Sequence, residues 1–382
     1  MYFMKGKDLI FVIVVMLALV GCKQERGCTD YKALNFSYTA LEEDGTCQYE
    51  THPDKYIFVN ADQLLTVEYQ DPIDLFNQLD EFASYMEGGA ADTLSDLILD
   101  DMYNNTSGNG GGNFSFTSLN SLAEHTLTTE VVIMNAWLNV LKIASDSVAE
   151  TASSGNAGTL TSDGGDTYLF ADNGFDYAAL IRVTLMGAVF IHQATTYGLG
   201  STMENADNYV EVDPASGKYY TAMEHYWDQA FGYFGAPYDF KDDTTGMRYW
   251  ALASNDVNGQ INSNDLMMDP FINGRKFIGT NENYNRDQER LGVLYMWEKI
   301  CGAKAMEHLE EAFGNVDLAI RNHEFTKGYA FIKCLEYFPT STRVISSSQI
   351  SNLLTDELVG PWVSTDVDIS NSINTLGAIY GL

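Results

Sequence analysis

From residue 55 onward, apolar residues recur every three to four positions, the period of an amphipathic helix. The pattern predicts helices over roughly 71–87, 93–103, 117–150, 174–195, 217–235, 286–313, 317–338 and 366–380. Strand-like alternation is scarce, and YIFV at 56–59 is its clearest instance. Pro72, Pro237 and Pro339 fall at helix edges, where a missing N–H costs least. Two glycine-rich stretches, NNTSGNGGGN (104–113) and SSGNAGTLTSDGGD (153–166), predict surface loops between periodic segments. No repeat of fixed period is visible, which counts against a tetratricopeptide array. The pattern predicts an all-α fold of helical bundles in one large unit over 55–382.

Two of these helices carry charge in instructive places. The segment GFDYAALIRVTLMGAVFIHQAT is apolar nearly all round, which predicts a central, buried helix with Arg182 and His192 as its exceptions. His192 reads as a capped or core histidine. A buried guanidinium needs a carboxylate partner, and Glu224 and Asp228 on the following helix are the candidates for Arg182. That following helix lies in MEHYWDQAFGYFGAP. Met223, Tyr226, Trp227, Ala230, Phe231 and Phe234 project to one side, and Glu224, His225, Asp228, Gln229 and Gly232 to the other. The apolar side is core. The polar side reads as a solvated or structural face, or as a cation site, because His225 and Asp228 stand at i, i+3 with Glu224 beside them. Gly232 leaves room for another backbone.

The helices 286–313 and 317–338 form a hairpin around FGNVD. Counting outward from the turn places His308 and His323 nearly level, with Glu307, Glu311 and Glu324 close in sequence. Two histidines and carboxylates between helices are a transition-metal arrangement, and the alternative is a pair of exposed histidines in acidic surroundings. The same count sets Cys301 and Cys334 five residues out of step, about 7.5 Å along the axis, which predicts free thiols. DVNGQINSNDL (256–266) lacks calcium-loop spacing and reads as a polar loop. No nucleophile elbow, Walker loop, HExxH or zinc–cysteine cluster is present.

The N-terminus adds an address. Lys5 and Lys7 precede an apolar run from Leu9 to Val20, and Leu19-Val20-Gly21-Cys22 matches a lipobox. The expectation is a signal over 1–21, lipidation of Cys22, and a soluble body anchored outside the cytoplasm. Loss of Lys5, Lys7 and Asp8 with the signal leaves 19 basic and 52 acidic side chains, a net charge of −33. Such a surface repels nucleic acid and anionic lipid. Within 22–54, Cys28 and Cys47 bracket a short segment with an Asp44-Gly45 turn, and export favours a disulfide between them. Glu42, Glu43 and Asp44 read as a solvated acidic turn or a calcium site.

The pattern Gly27-Cys28-Thr29-Asp30, Ala33, Asn35 and Asp44-Gly45-Thr46-Cys47-x-Tyr49 resembles a small module of exported Bacteroidetes proteins. In the larger unit, YIFVNADQLLTVEY, LFNQLDEFASYM, DNGFDYAALIRVTLMGAVF, MEHYWDQAFGYFGAP and RYW (248–250) together resemble an imelysin-like lipoprotein family of Bacteroidetes over about 56–340. The resemblance implies a fold of imelysin-like helical bundles and a non-enzymatic part in iron or haem acquisition. It also implies iron or another divalent metal as cargo, and a TonB-dependent receptor and an imelysin as partners. The imelysin hallmark Gly-x-His-x-x-Glu is missing; His225 and Asp228 offer similar spacing without the glycine. A glycan-binding surface lipoprotein of the SusD type is the alternative reading and a metallopeptidase the third. Either face of the outer membrane suits the anchor.

Overall fold

The computed structural model describes residues 26–29, 37, 39–46, 54–240 and 243–382. Cys22 and Cys47 lie outside the described residues, and the chain divides into two units at Pro53 and Asp54. In the first unit, β1 (Arg26–Gly27) pairs in parallel with β2 (Glu42–Glu43). Cys28 is buried there. The acidic turn is internally bonded. Glu42 binds Arg26, Glu43 accepts from the Thr29 and Gly45 amides, and Asp44 accepts from the Thr46 amide.

The second unit is 54–382, and its elements run in chain order. They begin with α1 (Gln70–Glu87), α2 (Asp96–Tyr103), α3 (Leu122–His125) and α4 (Thr128–Ser145). The hairpin β3 (Gly158–Thr161) and β4 (Thr167–Phe170) leads into α5 (Tyr177–Leu185). After α6 (Ser201–Glu204), the hairpin β5 (Glu211–Asp213) and β6 (Lys218–Thr221) precedes α7 (Ala222–Phe234). Then come α8 (Trp250–Ile261), α9 (Ser263–Gly279), α10 (Asn283–Ala312), α11 (Leu318–Cys334), α12 (Ser347–Asn352) and α13 (Asp366–Tyr380). Helix accounts for 60% of the structure against 7% strand, so the all-α expectation holds.

The apolar segment beginning at α5 is central. From Tyr177 to Glu204 it is long and apolar enough to cross a membrane, yet 83% of its most apolar window is buried in the domain. It loosens into wider turns at Met186–Ile191 and Ala194–Gly198. There the Trp250 indole donates to the Met186 carbonyl at 2.9 Å. Trp227, Trp250 and Trp297 are fully buried around this segment.

Several expectations need correction. YIFV forms no strand, only an isolated bridge from Val59 to Leu65, because one extended arm has no sheet to join. The glycine-rich stretch 153–166 holds β3 and its turn. DVNGQINSNDL is helical. It spans the junction of α8 and α9 at Asn262, where φ is 52°, and the Asn258 side chain accepts from the Asn264 amide. Its polar composition hid two consecutive helices, the second running through Pro270. Asp228, Gln229 and Gly232 are buried, so the polar side of α7 is not solvated. The chain around Tyr69 and Pro72 packs against Gly232, where a Cβ would come within 2.6 Å of the Tyr69 Cβ.

Candidate functional site

Helices α10 and α11 pack as an antiparallel hairpin whose register is read from two contacts. His308 Nδ1 meets Glu324 Oε2 at 2.5 Å, and Cys301 Sγ meets the Phe331 carbonyl at 3.1 Å. The histidines are therefore close to level, as the turn count predicts. His323 turns its Nδ1 to Asp176 Oδ2 at 2.8 Å. Asp176 also caps α5 by accepting from the Ala179 amide at 3.1 Å, so one carboxylate fixes both the helix start and the imidazole. Tyr168, on β4, stacks on His323 with ring centroids 4.2 Å apart. Phe331 stacks on His308 at 5.4 Å.

The electrostatics fix the tautomer. Burial pushes the Glu324 carboxyl up, but the hydrogen bond from His308 and the charge of Lys327 lead the effects that outweigh it and hold Glu324 down at about 2. Burial lowers His308, against the pull of Glu324, so its neutral form dominates at neutral pH. An ionised carboxylate only accepts, so the His308 Nδ1 carries the proton and donates it to Glu324. Its Nε2 keeps a lone pair. A neutral imidazole held this way has the chemistry to ligate a metal or accept a proton.

Both histidines line a cleft of about 700 Å³ bounded by α5, α8, α10, α11, β4 and the end of α1. Four cations reach it: Arg182, Arg248, Lys304 and Lys327. The whole chain has only 21 arginines and lysines at a net charge of −32, so their gathering here makes the cleft locally far less acidic than the rest. Lys304 is nearly buried and binds Asp256 at 3.0 Å and Glu307 at 2.8 Å. Lys327 binds Glu324 at 3.2 Å. On another wall, Arg182 binds Glu87 at 3.1 Å, and Arg248 binds Asp80 closely and Asn77 at 2.8 Å. The Tyr249 hydroxyl donates to Asp80 at 2.5 Å. Tyr249 has φ 46° and ψ −104°, a conformation costing a bulky residue about 1–3 kcal/mol. Gly235, at φ 85°, backs this turn; its carbonyl accepts from the Arg248 amide at 2.9 Å.

The structure separates the candidate residues. Arg182 does not pair with Glu224 or Asp228. It is exposed toward the cleft, because it falls on the one polar seam of α5, and Glu87 is its partner. Glu224 and Asp228 are in a buried ion pair with Arg275 of α9. Arg275 Nε lies 2.9 Å from Asp228 and Nη1 2.5 Å from Glu224, while Nη2 donates to Thr66 Oγ1 at 3.0 Å. The Tyr56 hydroxyl donates to Asp228 at 2.7 Å. This junction clamps the arm 54–69 to the core. His225 sits outside it, beside Glu68 at 3.2 Å and stacked on Tyr220. Glu224 and Asp228 thus come together around Arg275, and His225 is turned to Glu68 instead. Glu311 is exposed and does not line the cleft. Among the described residues, no group of three or more His, Cys, Asp or Glu side chains is placed to hold a metal ion.

Cys301 and Cys334 are free thiols and fully buried. They are less than a turn out of step, closer than the turn count places them. Arg248, Tyr168, Lys304 and Asp176 are site residues that sequence reasoning left unassigned. Asp176, a capping residue just before an apolar run, carried a readable signal. Arg248 and Tyr168 carried none, because strain and a hairpin place them.

A helical domain with a cleft of mixed charge and two carboxylate-tethered imidazoles is the class that fold and site define. The chain belongs to the DUF4856 family, a domain of unknown function, which matches residues 56–378. Comparison with curated proteins returns no match, and comparison with solved structures returns none.

Proposed function

We propose that the protein is an exported, lipid-anchored binding protein, imelysin-like in its helical bundles, that takes an iron-bearing chelate or haem as cargo in this cleft. One observation carries the reading: His308 and His323 are held through Nδ1 by Glu324 and Asp176 and line the same cleft. A carboxylate on Nδ1 orients the ring and strengthens Nε2 as a ligand. Two imidazoles do not complete a bare-ion site, which agrees with the lack of a three-ligand group among the described residues. A chelated iron brings most of its own ligands and needs only one or two from the protein. A metallopeptidase would need the fuller set, so that reading loses its support.

The anchor is lipidated Cys22 at the outer membrane, and Cys28–Cys47 closes the small module. Delivery is to a TonB-dependent receptor with an imelysin as partner. Tyr168 and Tyr249 on the cleft wall favour a glycan as the second reading, although Trp227, Trp250 and Trp297 lie in the core rather than on a platform. The test is titration of the full chain with haem and with ferric citrate, followed by absorption and calorimetry, with soluble oligosaccharides in parallel. Iron-dependent binding lost in both His308→Ala and His323→Ala supports the reading. Binding of oligosaccharide alone replaces it with the second.

A further inference from the structure

We infer that Arg182 and Arg248 form a carboxylate-binding subsite in the same cleft, so that the cargo is an iron chelate bearing carboxylate groups; this rests on the cargo reading above. Both guanidiniums line the cleft. Their partners Glu87 and Asp80 stand two turns apart on the same helix, α1, so the two guanidiniums belong to one wall of the cleft. The partner of Arg182 is replaceable. Glu87 is 55% exposed and Arg182 45%, and an ion pair that wet is worth little to the fold, whereas Asp80 fixes Arg248 in place. Among the described residues, Arg182 engages a single N–H group, Nη1 on Glu87. The rest of its planar fork suits a carboxylate, which accepts two parallel hydrogen bonds from such a group.

A second, independent observation marks this wall as built. Tyr249 holds φ 46°, and such strain persists only where the surroundings enforce it. What enforces it is visible. The Arg248 amide is bonded to the Gly235 carbonyl, and a Cβ on Gly235 would meet the Arg248 carbonyl at 2.4 Å. The Tyr249 hydroxyl and Arg248 guanidinium both close on Asp80. The Arg248 guanidinium also lies over the Phe76 ring, 5.1 Å from its centroid. A surface arginine with only a structural pair to make needs none of this. In a chain with 53 acidic against 21 basic residues, two guanidiniums lining one cleft are the part of it that selects an anion.

The carboxylates can belong to a porphyrin or to an open-chain chelator such as citrate, and the experiment separates them. Full-length wild type, Arg182→Gln and Arg248→Gln are titrated with iron(III) protoporphyrin IX, its dimethyl ester, metal-free protoporphyrin IX and ferric citrate. Circular dichroism confirms that both variants stay folded. The expected result is that each substitution weakens the diacid porphyrin by about tenfold to a hundredfold, the range for losing one hydrogen-bonded charge pair. The Soret position of the bound iron porphyrin stays unchanged, because the histidines are intact. The dimethyl ester binds the wild type weakly and ignores the substitutions. Arginine-dependent binding of ferric citrate alone upholds the subsite and assigns it to an open-chain chelator. Arginine-dependent binding of metal-free porphyrin without any iron effect upholds the subsite while the histidine reading fails. Equal wild-type affinity for diacid and diester overturns the inference, as do Arg182→Gln and Arg248→Gln variants that bind every ligand as the wild type does.

Discussion

Replacing Arg275 with methionine removes the centre of the buried junction under α7. The guanidinium is 1% exposed and bonded to Asp228, Glu224 and Thr66. Methionine fills much of its volume but leaves Asp228, which is fully buried, with only the Tyr56 hydroxyl and the Glu68 amide at 3.4 Å. Breaking a buried pair by removing one partner costs about 3–5 kcal/mol, which for a domain of this size lowers the melting temperature by roughly 5–10 °C. Arg182→Met is the control. Its pair with Glu87 is about half exposed on both sides, so its loss is worth about 0–1 kcal/mol. The pH dependence has a definite sign. Burial pushes Asp228 up to about 7 even with Arg275 beside it. A carboxyl raised above its unfolded value near 3.8 favours the fold most at low pH and loses that contribution as pH rises through about 7. Without the guanidinium the carboxyl rises further, so the deficit of Arg275→Met is larger at pH 8 than at pH 5. Thermal and urea unfolding followed by circular dichroism at both pH values measures it. Equal melting temperatures for Arg275→Met and wild type, or a larger loss in Arg182→Met, would refute the buried-junction account.

Three further outcomes are expected. Glu324 is held at about 2 against an ordinary 4.5, and His308 below 6.5; both shifts give stability that is full above the unfolded values and lost as pH falls. The Glu324 share is at most about 3 kcal/mol, so acid unfolding curves should steepen below pH 4.5 in wild type and flatten in Glu324→Gln, and parallel curves would count against the pair. Gly235→Ala forces a side chain into φ 85° and against the Arg248 carbonyl, which should cost at least about 1 kcal/mol and weaken carboxylate-bearing ligands together with stability; a neutral substitution would show that the turn does not hold Arg248. At the N-terminus, Cys22→Ala should abolish palmitate labelling, and non-reducing peptide mapping should link Cys28 to Cys47 while Cys301 and Cys334 stay alkylatable after denaturation.

Periodicity carried the long helices because each buries a stripe whose spacing is visible in one dimension. Thus α1, α10, α11 and α13 fall within a few residues of where the pattern sets them. It failed at α8 and α9, where polar Asn and Ser residues satisfy one another across the junction and dilute the apolar signal. Partner choice was less legible. The expected burial of Arg182 suggested Glu224 and Asp228 as its partners, but Arg182 is exposed and Arg275 takes both carboxylates. Arg275 sits within SNDLMMDPFINGRKFIG, a segment left out of the predicted helices that is helical through Pro270. The level histidines could be counted from the turn because a hairpin has one free parameter. The cleft wall of Arg248, Tyr249 and Asp80 could not, since a strained turn and contacts distant in sequence create it.

Iron-edge anomalous diffraction from crystals grown with the cargo tests the central claim most directly. The account predicts a single strong iron peak in the cleft, with Nε2 of His308 or His323 at a bonding distance of roughly 2.1 Å and the Nδ1 bonds to Glu324 and Asp176 unchanged. A peak at His225 or on the acidic outer surface, or no peak under conditions where the iron chelate is bound in solution, would contradict it.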